Sequence, residues 1–246
     1  MKAFLLAAGL GTRLRPYTDR HPKCLMPVLG KPLLEIWFEL LAHYGVTEVL
    51  VNTHHHADQV TAFLDDYRSR SALKVSAAHE PQLLGSAGTL WHNRDFVADQ
   101  KDFIIAYADN LTNIDLAKLI DFHGDIRSMG GIFTMGLFQA SDPWLRGIAL
   151  LDEQQRIIEF EEKPETPRSN LANAGVYIAG SEIFSFFKGL SSGQNQVLDI
   201  ACDLLPRLMG RMFGVPIEGF LQDIGTPQTY EDALAQWPDR ERHNGF

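Results

Sequence analysis

The sequence predicts an α/β fold: a doubly wound, Rossmann-like sheet that is mixed but mainly parallel. Two observations carry this prediction. Short apolar runs alternate with segments of helical periodicity through the first half of the 246 residues, which is the rhythm of β–α–β units with right-handed crossovers. The second half holds mostly strand-like runs with few helices between them, and these extend the same sheet with mixed strands.

The first half supplies four predicted strands and three predicted helices. The run KAFLLAA is apolar on both faces, which is typical of a buried strand, and TEVLVN, LKVSAAH and DFIIAYAD are the next strands. The helix KPLLEIWFELLAHYG has Pro32 in its first turn and ends at Gly45, a residue suited to a left-handed C-cap. ADQVTAFLDDYRSR is the second helix, and a third is predicted near residues 87–95.

The second half is predicted to complete this sheet. Its strands are GGIFTMGLF, GIALLD, RIIEFEEK and NAGVYIA. Helices are predicted at 182–189 and 199–209, and a last helix runs from Pro227 to about Gln236. Because no linker, repeat or low-complexity segment divides the chain, we expect one domain over residues 1–237 and a polar, frayed tail over 238–246.

Composition and charge exclude several classes of function. The net charge of −9 leaves no basic stripe to neutralise the phosphates of a nucleic acid. Two cysteines, Cys24 and Cys202, cannot build a disulfide scaffold, and no apolar run approaches the roughly 18 residues of a membrane helix. Only a short apolar run follows Lys2, unlike a secretory signal peptide. We therefore expect a cytoplasmic monomer or homodimer that binds neither nucleic acid nor membrane.

The loop after the first strand is placed to bind a ligand, since ligands of open parallel sheets lie beyond the carboxyl ends of the strands. In this loop Gly9 and Gly11 are followed by three cations, Arg13, Arg15 and Lys23. Its spacing matches neither the dinucleotide fingerprint nor the P-loop. Backbone amides beside several cations are what a triphosphate requires. For the glycine pair alone, a simple turn with solvated arginines is the alternative.

This loop, LLAAGLGTRLRP followed by HPKCLMPV, resembles the G-x-G-T-R…P-K signature of the sugar-1-phosphate nucleotidylyltransferases. Six further blocks resemble the family in chain order: EPQLLGSAGTL, IAYADN, RGIALLD, EFEEKP, NLANAGVYI and DIGTPQTY. The resemblance covers residues 2 to about 236. It implies the nucleotide-diphospho-sugar transferase fold, which is GT-A-like. We expect no additional acyltransferase or isomerase domain.

The resemblance implies that a sugar 1-phosphate oxygen attacks the α-phosphorus of a nucleoside triphosphate and releases pyrophosphate. Arg13, Lys23 and Asp109 are then the catalytic residues, and Asp109 with Asp223 would hold Mg²⁺. The residues implied to bind the nucleotide are Leu6, Ala7, Ala8, Gly9, Gly11, Thr12, Arg13, Glu80, Gly85, Ser86 and Gly88. The residues implied to bind the sugar phosphate are Gly147, Glu162, Lys163 and Asn173.

The base and the sugar are the open part of this expectation. The block EPQLLGSAGTL looks nearer to the guanylyl-type branch that uses mannose or heptose 1-phosphate, an activity that would serve cell-envelope polysaccharide synthesis. UTP, CTP and dTTP are the alternatives to GTP. Glu80 either accepts hydrogen bonds from guanine or caps a turn. Ala108 and Cys24 stand where the family usually has glycine and proline, which affects substrate identity rather than reaction class.

Two other classes of protein compete with this interpretation. Glycosyltransferases on a similar sheet generally carry D-x-D, which ADN at 108–110 does not supply. A non-catalytic regulatory subunit is expected to have lost one of the charged residues at 13, 23, 109 and 223, and all four are present. The run HHH at 54–56 suggests a metal cluster at first sight. We expect it to be a solvated loop, because consecutive side chains point in different directions, and we expect Cys24 to have a packing role.

Overall fold

The computed structural model describes residues 1–190 and 197–238 of the chain. Within them, strands and helices alternate through the first half as predicted. The strands are β1 (Lys2–Leu6), β2 (Pro27–Val28), β3 (Lys31–Pro32), β4 (Glu48–Thr53), β5 (Lys74–His79), β6 (Asp102–Tyr107), β7 (Asn110–Thr112), β8 (Phe133–Gln139), β9 (Gly147–Leu151), β10 (Ile157–Glu162), β11 (Leu171–Gly180), β12 (Met212–Pro216) and β13 (Leu221–Asp223). The α-helices are α1 (Leu33–His43), α2 (Ala57–Arg70), α3 (Ser86–His92), α4 (Leu116–Ser128) and α5 (Pro227–Gln236).

Nine of these strands form one mixed sheet, which confirms the predicted fold class. Strands β5, β4, β1 and β6 are parallel neighbours, and β11 pairs antiparallel to β6. The remaining strands β8, β9, β10 and β12 extend the sheet beyond β11. The chain adds β4 and β5 on one side of β1 and β6 on the other, so the order of connection reverses at β1. Ligands of such sheets bind at this reversal, beyond the strand ends.

Strand β1 shows why helices cover both faces of the sheet. Its side chains alternate between two apolar cores: Ala3 and Leu5 face one, and Phe4 and Leu6 face the other. The first core packs against α1, α2, α4 and α5, and the second packs against α3 and the stretches 183–190 and 198–208. Full burial of a leucine or phenylalanine side chain stabilises the fold by about 1.5–3 kcal/mol. A strand buried on both faces therefore holds the sheet in place.

The second half differs from the prediction in its helices. The helices predicted at 182–189 and 199–209 form a 3₁₀ helix (Ser181–Phe187), a π-helical turn (Ile200–Leu204) and a second 3₁₀ helix (Leu205–Leu208). Pro206 lacks the backbone N–H that a regular α-helix needs there. The helix α4 was not predicted at all, although Asp115 caps it by accepting a hydrogen bond from the N–H of Ala117.

A small pair of strands beside the main sheet brings two aspartates together at the carboxyl edge of the parallel strands. In it β7 runs antiparallel to β13, with Asn110 opposite Asp223. The buried indole of Trp37 donates a hydrogen bond to the Asn110 carbonyl and so ties this pair to α1. Asp109 and Asp223, which are 114 positions apart in the chain, are thereby brought side by side.

The ends and surfaces of the chain add two facts. Most of the predicted tail over 238–246 lies outside the described residues. Among the residues that the structure describes, no helix combines the length and apolarity needed to cross a lipid bilayer.

Candidate active site

Two clefts meet at the carboxyl edge of the parallel strands. The smaller, of about 320 Å³, lies beside the glycine loop (residues 7–22) and the base loop (residues 80–90). The larger, of about 670 Å³, lies beside β9, β10 and β11. Three residues line both clefts: Tyr107, Asp109 and Asp199. A ligand in one cleft therefore ends next to a ligand in the other.

The glycine loop lies only partly in the smaller cleft. Of its predicted binding residues, the stretch 6–9 lines the cleft, whereas Gly11, Thr12 and Arg13 lie outside it. Gly11 adopts a left-handed conformation with φ of 63°, and a Cβ there would lie 2.8 Å from Cγ2 of Thr18. The Thr18 hydroxyl donates to the Gly11 carbonyl at 2.7 Å. Only glycine fits this bend, and the bend leaves Arg13 exposed next to the buried Leu14.

Lys23 joins the two predicted metal ligands. Its Nζ donates to Oδ2 of Asp109 at 2.8 Å and to Oδ1 of Asp223 at 3.0 Å. Burial acts to lower the pKa of Lys23, but the two carboxylates outweigh it and hold the pKa above its ordinary value. A buried ammonium paired with two carboxylates is stable only while both partners stay in place. The three groups therefore behave as one electrostatic unit.

The same two carboxylates suit a hard divalent cation. Both lie within hydrogen-bonding distance of the Lys23 ammonium, so a cation that displaced this ammonium would meet both carboxylates at one position. Mg²⁺ commonly binds one or two carboxylates and completes its shell with water and substrate phosphates. Within the described residues, no group of three or more His, Cys, Asp or Glu side chains is arranged to hold a metal. The donor set therefore fits a cation that is shared with a phosphorylated substrate.

Glu80 makes hydrogen bonds within the protein of the kind that its predicted turn-capping role requires. It is only 2% exposed, and its Oε1 accepts hydrogen bonds from the Asn52 amide at 2.9 Å and the Thr89 hydroxyl at 2.5 Å. Its Oε2 accepts from the Leu84 N–H at 3.1 Å. These three bonds use three of the roughly four acceptor positions of the carboxylate, and Glu80 also lines the smaller cleft.

The other predicted residues of the base loop pack against the segment 198–200. Gly85 has φ of 78°, and a Cβ there would lie 2.3 Å from the Leu198 carbonyl oxygen. Ser86 donates to Oδ2 of Asp199 at 2.8 Å and accepts from the Ile200 N–H at 2.7 Å. Gly85 and Ser86 line the smaller cleft, but Gly88 does not.

Tyr107 and Asp199 line both clefts, and the sequence analysis missed both as site residues. Asp199 is the one that carried a local sequence signal. It lines both clefts and accepts hydrogen bonds from the N–H groups of Ala201 and Cys202, as an N-cap does. An aspartate before a helical segment was visible in the sequence as a capping signal. Its position between two clefts was not, because it depends on the packing of the base loop.

All four residues predicted for the sugar phosphate line the larger cleft. Gly147 pairs with Glu162 across the β9–β10 ladder, and a Cβ at 147 would lie 2.6 Å from Oε2 of Glu162. Burial raises the pKa of Glu162. Lys163 has φ of 51° and donates its N–H to the Arg146 carbonyl. Asn173 donates to the Tyr177 hydroxyl at 2.7 Å and accepts from the Gly175 N–H at 2.9 Å.

The histidine run does not form the solvated loop that we expected. All three rings are partly buried, and two contact backbone carbonyls. His54 Nδ1 lies 2.7 Å from the backbone carbonyl oxygen of Glu80, and His55 Nε2 lies 3.1 Å from that of Thr18. The expectation failed because the loop after β4 passes between the two nucleotide-side loops.

Cys24 has the packing role that we expected. Its side chain is buried in the core under the glycine loop. Burial raises the pKa of the thiol to about 12, so the thiol stays protonated and is no nucleophile at neutral pH.

Fold and site together define a class: an α/β protein with a nucleotide-binding, Rossmann-like sheet and two ligand clefts that share an acidic edge. The chain belongs to the nucleotidyl transferase family, whose model matches residues 2–240. This membership agrees with the resemblance seen in the sequence motifs.

Two curated relatives are similar over nearly the whole chain. One is a probable mannose-1-phosphate guanylyltransferase 1 from Oryza sativa subsp. japonica, 32% identical over 98% of this chain and 66% of the relative. The other is a putative mannose-1-phosphate guanyltransferase from Sulfolobus acidocaldarius, 35% identical over 94% of this chain and 61% of the relative. The chain thus spans slightly less than two thirds of the length of these relatives.

Solved structures are similar in fold. A putative glucose-1-phosphate thymidylyltransferase from Bacillus anthracis, in complex with a sucrose, has a TM-score of 0.83 and 27% identity, covering 96% of this chain and 94% of its own. HddC from Yersinia pseudotuberculosis, complexed with GMP-PN, has a TM-score of 0.78, covering 96% of this chain and 99% of its own. At 22% identity, the second comparison concerns the fold alone.

Proposed function

We propose that this chain transfers a nucleoside monophosphate from a nucleoside triphosphate to a sugar 1-phosphate, giving an NDP-sugar and pyrophosphate. The observation that carries the proposal is the meeting of the two clefts at Asp109, with Lys23 bridging Asp109 and Asp223. A triphosphate in the smaller cleft and a sugar phosphate in the larger would bring the α-phosphorus and the attacking oxygen to this point.

The attacking phosphate is already an anion, so the reaction needs no general base. The barrier comes from repulsion between two polyanions and from charge that builds on the leaving pyrophosphate, and preorganised cations lower it. Lys23 neutralises the α-phosphate and Arg13 the leaving group. Asp109 and Asp223 would hold Mg²⁺, which would supply further positive charge against the phosphates.

On the sugar side, Lys163 neutralises the phosphate and Glu162 accepts hydrogen bonds from sugar hydroxyls. Asn173 already uses one donor and one acceptor within the protein. Its amide keeps one further N–H and one further lone pair, which suffice to bind a hydroxyl. Gly147 leaves room for the Glu162 carboxylate at the cleft wall.

The best substrate pair is GTP with mannose or heptose 1-phosphate. The two curated relatives described above are named for mannose-1-phosphate and guanylyl transfer. A UTP–glucose-1-phosphate uridylyltransferase from Synechocystis, 30% identical over 99% of this chain and 65% of its own length, makes UTP the first alternative. The product would serve cell-envelope polysaccharide synthesis in the cytoplasm. The chain would act without nucleic acid, as a monomer or homodimer with one catalytic domain over 1–237.

The experiment is a pyrophosphate-release screen of GTP, UTP, CTP, dTTP and ATP against a panel of sugar 1-phosphates. GTP with mannose or heptose 1-phosphate is expected to give the highest kcat/KM. A different preferred pair would correct the substrates while keeping the reaction class. Nucleotide binding without pyrophosphate release from any pair would identify a non-catalytic regulatory subunit instead.

The metal assignment has its own test. Asp223→Asn removes one of the two converging carboxylates, and we expect a normal fold, weaker Mn²⁺ binding by electron paramagnetic resonance and loss of most turnover. Asp121→Asn, at an exposed position of α4, is the matched control. Wild-type Mn²⁺ binding in the Asp223 variant, or full activity in a chelator, would remove the metal from the proposal.

A further inference from the structure

We propose that His54 and His55 are positioning residues that set the separation of the glycine loop and the base loop. The inference rests on the proposed nucleotide-binding role of the two loops. Both histidines lie just beyond the end of β4, the strand next to β1 in the sheet. The chain there passes between the two loops and contacts each of them.

His54 anchors the base loop. Its Nδ1 lies 2.7 Å from the Glu80 carbonyl oxygen. A carbonyl oxygen only accepts hydrogen bonds, so Nδ1 must carry the proton that it donates. The bond is made at the first residue of the loop, where β5 has just ended, and it therefore fixes the direction in which the loop leaves the sheet.

His55 anchors the glycine loop through a short relay. Its Nε2 donates to the Thr18 carbonyl oxygen at 3.1 Å, and the Thr18 hydroxyl donates to the Gly11 carbonyl at 2.7 Å. The Thr18 methyl also fills the space that a Cβ on Gly11 would occupy. A shift of Thr18 would therefore move the bend that presents Arg13.

Asn52, two residues earlier, makes the same connection from inside the cleft. Its Oδ1 accepts from the Ala7 N–H at 2.6 Å, and its Nδ2 donates to Glu80 Oε1 at 2.9 Å. One buried side chain thus holds both loops at their bases, while the histidines hold them further out. Since Asn52 is 4% exposed and its loss would disturb the core, the test is placed on the histidines.

The two histidines act on different parts of a bound nucleotide. His54 supports the loop beside the base, so its loss is expected to change the selectivity between GTP and UTP. His55 supports the loop beside the phosphates, which all nucleotides share, so its loss is expected to lower kcat/KM for both by the same factor. A side chain that merely stabilised the fold would leave the GTP/UTP ratio unchanged, and its loss would lower kcat/KM only in step with Tm.

The chemistry of the two bonds supplies matched variants. The amide nitrogen of asparagine occupies the position of a histidine Nδ1, and that of glutamine the position of Nε2. His54→Asn and His55→Gln are therefore expected to restore the donor, whereas the exchanged variants His54→Gln and His55→Asn are not. His43→Ala, at an exposed position in the last turn of α1, controls for loss of a histidine.

The experiment measures kcat/KM for GTP and for UTP with a fixed sugar 1-phosphate, together with Tm. It includes all these variants and also His54→Ala and His55→Ala. His55→Ala is expected to lose about 3- to 10-fold for both nucleotides, the effect of one net hydrogen bond. His54→Ala is expected to change the GTP/UTP ratio by a similar factor. Recovery in His54→Asn and His55→Gln, and in neither exchanged variant, would support the proposal.

Wild-type kinetics in the alanine variants, or losses that follow Tm alone and are not recovered by the matched amides, would overturn the inference while the proposed function stands. If the wild-type chain itself shows no turnover, the proposed function fails. The inference is then decided by the Kd of GTP and UTP from calorimetry, where the same pattern of loss and recovery supports it and its absence overturns it.

Discussion

Arg13 separates the catalytic interpretation of the glycine loop from the simple-turn alternative. Its side chain is exposed and lies outside the smaller cleft, on a bend fixed by Gly11 and Thr18. If it stabilises the leaving pyrophosphate, Arg13→Ala should lower kcat by roughly 10²–10³-fold, as loss of one preorganised donor does. The KM for the triphosphate should change less, because Lys23 and the loop amides still bind the ground state.

Single-turnover kinetics at saturating triphosphate and Mg²⁺ measure this effect, with Arg20→Ala, at another exposed arginine of the same loop, as the control. An Arg13 variant that reacts as fast as the wild type would mean that the glycines form only a turn.

Lys163 tests the sugar side of the site at the same scale. Lys163→Ala should raise the KM for the sugar phosphate and leave that for the triphosphate nearly unchanged, because the residue lines the larger cleft and not the smaller. Alanine keeps the Cβ, so the backbone cost at φ of 51° stays the same. Initial-rate kinetics with each substrate varied in turn measure the split, and Lys74→Ala, on the exposed side of β5, is the control. If only the KM for the triphosphate changed, Lys163 would act on the nucleotide and not on the sugar phosphate.

The sequence motifs predicted the residue types of the site better than their contacts. The motif residues at 23, 109 and 223 do come together, but the bridge formed by Lys23 joins positions 86 and 200 residues away, which no local pattern records. Glu80 shows the same limit. Its three hydrogen-bond donors come from β4, the base loop and α3, so these bonds could be recognised only in the folded chain.

At the scale of elements, the base loop depends on a glycine that touches backbone. Gly85→Ala would place a Cβ 2.3 Å from the Leu198 oxygen at φ of 78°, where alanine is strained in any case. We expect the free energy of unfolding to fall by about 1–3 kcal/mol. We also expect the KM for the nucleoside triphosphate to rise as the loop moves away from 198–200.

Gly124→Ala in α4 is the matched control for this prediction. No atom lies within 4 Å of a Cβ built there, and alanine is favoured over glycine inside a helix, so this variant should unfold at an equal or higher denaturant concentration. Chemical denaturation of both variants measures the difference. Equal stability of the Gly85 and Gly124 variants would show that the base loop can shift without cost.

Several elements with strong local signals were predicted well, whereas α4 and the elements set by tertiary contacts were not. Helix α2 matches its predicted span, and α5 begins at Pro227 as expected. Helix α4 was missed although Asp115 and the apolar spacing of Leu116, Leu119 and Ile126 signalled it. The pairing of β7 with β13 carries no local signal, because each strand has three residues and the partners are about a hundred positions apart.

For the whole molecule, the sheet topology determines where the two clefts meet, and a buried histidine in its core couples folding to pH. The chain adds β4 and β5 on one side of β1 and then β6 on the other. The glycine loop after β1 and Asp109 after β6 therefore lie next to each other at one edge of the sheet. The same sheet is held from one side by α4, which carries His123 into the core at 3% exposure. The stability of the site is therefore linked to the protonation of this histidine.

Burial lowers the pKa of His123 below its ordinary 6.5, against the effect of Asp102, whose carboxylate lies 3.2 Å from Nε2. Nδ1 lies 2.8 Å from the Thr134 hydroxyl, which suits a neutral ring that accepts there and donates at Nε2. The unfolded chain takes up a proton below about 6.5, whereas the folded chain does not until the lower pKa is reached. The free energy of unfolding should therefore fall as the pH falls through this window, by at most about 1.4 kcal/mol per pH unit.

Chemical denaturation between pH 7 and 5.5 measures this slope, and His123→Asn, which keeps a polar group toward Thr134, should flatten it. Arg127 and Glu182 also face the ring, but Arg127 stays charged throughout, and the pKa of Glu182 is lowered from 4.5, so its loss of charge lies below the window. His43→Ala, at the exposed end of α1, should keep the wild-type slope. An unchanged slope in the His123 variant would assign the acid sensitivity of this fold to other groups, because no proton would then be linked to folding at position 123.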